Sequence, residues 1–156
     1  MTSRAAVLAM ITFLCLVGCS EAPHLEVEAG DIQELRVHDF NWELGQTLVY
    51  RVTKNELVVY DEKSPDVIIE SHPIPPDGNL WKAIDGITKI YTDPMVDERV
   101  CDGTSVTFVF VLKDGSRRKT YLSNLIVKRY AAVTKAISDT ASSDIHYHQY
   151  DSRKYD

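Results

Sequence analysis

Apolar residues along this chain alternate in some stretches and recur every third or fourth position in others. Alternation marks a half-buried strand, and the longer spacing marks a helix with one buried stripe. Gln33 to Phe40 is compatible with a strand, though its alternation is imperfect. Thr47 to Thr53 places Leu48, Tyr50 and Val52 on one face. Lys54-Asn55 then turns the chain into Glu56 to Tyr60, which predicts a hairpin. Asp66 to Glu70 offers a further strand, and Pro73, Pro75 and Pro76 end the ladder.

Asp77 is placed to cap a helix from about Gly78 to Tyr91, with Leu80, Ile84, Ile87 and Tyr91 as its stripe. Gly86 weakens its middle by about 1 kcal/mol relative to Ala, and Asp93-Pro94 stops it. Thr104 to Leu112 is apolar on both faces, the mark of a central strand. Asp114-Gly115 suits a two-residue type I′ turn into Arg117 to Leu122. Ser123 or Asn124 would cap a second helix with the stripe Ile126, Tyr130, Val133 and Ile137. After Asp139 the chain turns polar and is expected to fray.

The order β-β-β-β-α-β-β-α predicts an α+β fold: an antiparallel sheet of about six strands with two helices packed on one face. The globular part is expected over residues 32–139, preceded by a polar spacer over 19–31 and followed by a polar tail over 140–156. No internal repeat is visible. With 156 residues there is room for one compact domain. The net charge of −6 and a pI near 5.3 argue against nucleic-acid binding, which needs an excess of Lys and Arg.

The N-terminus changes the picture most. Arg4 opens a short basic region, and Ala5 to Val17 is apolar apart from Thr12, a length that suits a signal sequence and is short for a membrane span. The run ends in Leu16-Val17-Gly18-Cys19. This resembles the lipobox of bacterial lipoproteins, in which the peptidase cuts before the Cys and its thiol carries a diacylglycerol. The resemblance implies a signal peptide over residues 1–18, lipidation of Cys19 and a membrane partner reached through acyl chains. Ser20 at the next position, where an Asp would favour retention, points to the outer rather than the inner membrane. Removal of residues 1–18 shortens the chain from 156 to 138 residues and takes away Arg4 and no acid, so the net charge falls from −6 to −7.

Cys15 leaves with the signal and Cys19 takes the lipid, so Cys101 is the one thiol left, a candidate reactive group or a half-buried hydrophobe. No nucleophile elbow, P-loop or zinc-protease motif occurs. His146 and His148 have a spacing that some metal sites use, but a solvated tail is the plainer reading. Asp93, Asp97, Glu98 and Asp102 form an acidic loop without the regular ligand spacing of a calcium loop. No metal or cofactor is expected.

The candidate partner contacts are Trp42 and the basic run Arg117, Arg118 and Lys119, whose alternative role is to protect an edge strand. Size, charge and signal are similar to those of periplasmic immunity proteins and of small inhibitors of cationic wall-degrading enzymes. That resemblance implies a protein-binding module, with a basic partner drawn in by the negative field. A structural or assembly role and a small envelope enzyme built on Asp97, Glu98, Asp102 and His72 are the alternatives. No catalytic residue stands out.

Overall fold

The computed structural model describes residues 21–41, 45–99, 104–149 and 153–155. The chain runs through β1 (His24–Glu26), β2 (Ile32–Asn41), β3 (Gln46–Val52), β4 (Glu56–Asp61) and β5 (Ile68–Pro73), then α1 (Asn79–Asp85). It continues through β6 (Lys89–Tyr91), β7 (Met95–Val96), β8 (Ser105–Leu112), β9 (Arg117–Ser123) and β10 (Leu125–Val127) into α2 (Lys128–Ser138). A 3-10 turn over His146–Gln149 and β11 (Arg153–Tyr155) end it.

The fold is α+β. Seven strands form one sheet in the order β5-β4-β3-β2-β8-β9-β7, antiparallel except that β7 runs parallel to β9. The expectation of six antiparallel strands missed β7, because two residues after Pro94 show no period. Two smaller pairs complete the structure: β1 with β6, antiparallel, and β10 with β11, parallel.

Alternation explains the sheet. Leu35 and Val37 on β2, Tyr50 and Val52 on β3, Leu57 and Val59 on β4, and Phe108 and Phe110 on β8 are all buried in one phase. On that face α2 sets the Tyr130 ring 4.7 Å from Phe108 and 5.8 Å from Phe110 between centroids. Leu80, Trp81 and Ile84 of α1 join the same core, with α1 lying beside α2. The other phase is mixed: Arg36, His38 and Thr107 are half-buried, Lys119 and Tyr121 exposed, and Val49 and Val58 on β3 and β4 buried. β8 is central as expected, but Val109 and Val111 on its second face are only half covered.

Several local expectations differ. The first helix ends at Asp85, where the Gly86 N–H reaches back to the carbonyls of Lys82 and Ala83. Beyond it Lys89–Tyr91 leaves the helix to pair with His24–Glu26, so Ile87 and Tyr91 are buried without belonging to a helical stripe. Asp77 does not cap: Gly78 holds that position, with no side-chain bond. The second helix starts at Lys128 after a short strand, and Asn124 adopts a left-handed φ of 61° instead of capping.

The β8–β9 turn is a three-residue loop. Of its residues only Gly115 has positive φ (81°), and Leu112 bonds Gly115 and Ser116, the pattern of a type I turn followed by a glycine bulge. The stretch read as a spacer already contributes β1 and the buried Val27. The stretch expected to fray contributes Ile145 and Tyr147, both 0 % exposed.

Candidate functional site

The strand register assembles the open face of the sheet row by row. Tyr60, Val49, His38, Thr107 and Tyr121 lie side by side across β4, β3, β2, β8 and β9. The next row runs Val58, Arg51, Arg36, Val109 and Lys119. At the far end of β2, Phe40 faces Thr47. A groove of about 360 Å³ lies among them, lined by His38, Phe40, Glu62, Val109, Lys119 and Tyr121. Phe40 and Tyr121 are 39 % and 37 % exposed, so each ring offers apolar surface that another molecule could cover. Full burial of such a side chain is worth about 1.5–3 kcal/mol.

The groove carries charge of both signs. His38 Nδ1 lies 2.9 Å from Glu62 Oε1, and Lys119 faces them from β9. Beside it Arg36 and Arg51 stand directly opposite one another, a like-charge pairing that costs stability in a sheet. Glu34 and Glu56 offset it, at 2.7 Å from Arg36 and 3.4 Å from Arg51.

The predicted basic run is split by the strand period. Arg117 and Lys119 share the open face, whereas Arg118 points to the other side and donates to the Arg117 carbonyl at 3.0 Å. In the seven-stranded sheet β7 meets β9 only at Leu122 and Ser123, so the basic half of β9 is an edge among the described residues. Trp42, Cys19 and Cys101 lie outside the described residues; Trp42 follows two positions after the groove residue Phe40.

Among the described acid–base candidates, His72 is not brought together with Asp97 and Glu98. His72 lies on β5 and Asp97 follows β7, the two terminal strands of the sheet; Glu98 is exposed, and Asp102 lies outside the described residues. Asp97 is buried and accepts from the Arg99 backbone N–H, Nε and Nη2; the Arg99 hydrogen bond holds its pKa below the ordinary value. His146 is exposed on the 3-10 turn, and the side chain of His148 lies outside the description. Among the described residues no group of three or more His, Cys, Asp or Glu is placed to hold a metal ion.

A polar cluster that sequence reasoning missed sits where the C-terminal segment crosses the packed face. Asp39 shares the buried phase of Leu35 and Val37, and this was the available signal: an acid in register with core residues. Burial raises its pKa to about 6; His146 opposes the shift and Asp144 adds to it. On β5, desolvation pushes Glu70 up, but hydrogen bonds from the Ser143 hydroxyl at 2.5 Å, His72 and the Ser142 backbone take it down to about 2. Burial raises the Tyr50 hydroxyl between them. These contacts clamp residues 142–146 to the sheet.

The chain matches no protein-family model, no curated protein and no solved structure. Among the described residues no helix is long and apolar enough to cross a membrane.

Proposed function

We propose that this chain is a lipid-anchored protein of the bacterial cell envelope, held through Cys19 at the periplasmic side of the outer membrane. Its folded part acts as a protein-binding module of the inhibitor or immunity type. In this reading both helices cover one face of the sheet and leave the other for the partner. The observation that supports it is the groove between Phe40 and Tyr121 on that face. The net charge of −7 after processing would steer a basic partner toward the molecule before the aromatic anchors engage. Cys19 precedes β1 by only five residues, a reach of at most about 18 Å. The domain therefore works close to its anchor.

The test is capture by the purified full chain from envelope and secreted extracts. One stoichiometric partner, retained less as salt rises, is the expected result. Absence of any partner above background overturns the reading. A structural or assembly role is the second reading, to which the apolar edge of β5 lends itself equally well. An envelope enzyme, the third, gains no support from His72 and Asp97, placed at opposite ends of the sheet.

A further inference from the structure

Strand β5 ends the seven-stranded sheet on one side. Every second backbone N–H and C=O of it therefore points away from β4, and no strand pairs with them among the described residues. Natural edges usually refuse partners through Lys, Pro or shortness. Here the strand is entered through Val67, Ile68 and Ile69, which are 62 %, 59 % and 51 % exposed. Val67, in the bend before the strand, and Ile68 and Ile69 at its start form a run of exposed apolar side chains at this edge. The register passes from Val59–Glu70 to Tyr60–Ile68, leaving Ile69 as an unpaired bulge residue. Pro73, with no N–H to offer, closes the usable stretch at its other end.

Resting on the protein-binding reading and deepening it, we infer that β5 receives an extended segment of the partner as an eighth strand, with aliphatic side chains flanked by Lys or Arg. Main-chain bonds would supply affinity, and Val67 to Ile69 would supply the apolar contact. Charge selects the occupant. The turn that leads into β5, residues 61–67, carries Asp61, Glu62 and Asp66 against the single cation Lys63, and Glu62 is already paired with His38. A basic segment meets these carboxylates favourably, whereas β5 of a second copy, Ile68–Pro73, offers them no Lys or Arg. The side chain of Glu70 is already held by Ser142, Ser143 and His72. The first described strand, β1, lies at the far side of the sheet from this edge. The N-terminal strand reaches the sheet through β6, whose Tyr91 carbonyl accepts from Thr120 on β9 at 2.7 Å, and β9 lies five strands or roughly 24 Å from β5.

The test uses the full chain and a fluorescent peptide, Lys-Val-Thr-Val-Thr-Val-Lys, with hydrogen exchange of the β5 amides as a second readout. The peptide is expected to bind and to slow exchange in β5. Ile68→Lys, at an exposed position that leaves the fold intact, should weaken binding at least about tenfold, as should Glu in place of the terminal Lys residues. A peptide methylated on alternate amides should not bind. Equal binding by the methylated peptide or by the Ile68→Lys chain overturns the inference. So does self-association of the full chain that Ile68→Lys abolishes, which gives the edge to a second copy. If Ile68→Lys still captures the natural partner while Tyr121→Ala does not, the edge proposal fails and the protein-binding reading stands. Loss of every interaction in the unaltered chain removes both.

Discussion

The buried hydroxyl of Tyr147 accepts a hydrogen bond from the backbone N–H of Val127 at 2.9 Å. Val127 is the residue from which α2 starts, and Tyr147 belongs to the 3-10 turn near the C-terminus. The same ring meets Phe108 edge-on, with centroids 5.9 Å apart. One side chain thus satisfies a buried donor beside α2 and fills the core against the central strand. Tyr147→Phe leaves the donor without a partner and should cost about 1–3 kcal/mol. Tyr147→Ala, which also opens a cavity, should cost about 3–5 kcal/mol. Urea unfolding measures both, and a Phe variant as stable as the unaltered chain would show that the bond contributes nothing.

Asp39 makes stability depend on pH. Its folded pKa, about 6, lies above its unfolded value, so between roughly pH 4 and 6 the folded chain holds a proton that the unfolded chain has lost. Its contribution is most favourable below that window and declines as pH rises through it. Asp39→Asn cannot ionise and should raise stability at pH 7 by up to about 3 kcal/mol, with little change at pH 4. Glu70 acts in the opposite sense. Its pKa, depressed to about 2, gives stability that is present above the unfolded value and is lost as pH falls through the acid range. Unfolding at pH 5 and pH 7 in both chains separates the two; an unchanged difference between those pH values in Asp39→Asn would contradict the assignment.

Processing at the N-terminus has its own test. Cys19→Ser removes the thiol that the lipobox resemblance assigns to the acyl group, and should yield an uncleaved precursor with no fatty-acid label. Labelling of that variant at the level of the unaltered chain would exclude lipidation at this position.

How far the sequence foretold the fold depended on the length of each element. β8 and the β3–β4 hairpin are long enough for their alternation to show, and Tyr130, Val133 and Ile137 kept their stripe in α2. Short elements were lost. Lys89–Tyr91 and Leu125–Val127 each continue the apolar spacing of a neighbouring helix, so three-residue strands were absorbed into helices. Ile145 and Tyr147 lie in a stretch rich in Ser and Asp, where two buried side chains make no period.

The groove was visible only in part. Lys119 was noticed for its charge, but Phe40 and Tyr121 became neighbours through strand pairings that span eighty residues of sequence. The basic run looked like one patch, yet the period of a strand sends Arg118 to the opposite side from Arg117 and Lys119.

The central claim is that the open face of the sheet, at Phe40 and Tyr121, binds a protein. The most direct measurement compares the unaltered full chain with the double variant Phe40→Ala, Tyr121→Ala in quantitative capture from envelope and secreted extracts, after confirming equal thermal stability. The account predicts one stoichiometric partner on the unaltered chain and at least about a tenfold loss in the double variant. The same partner held equally by both chains would contradict it.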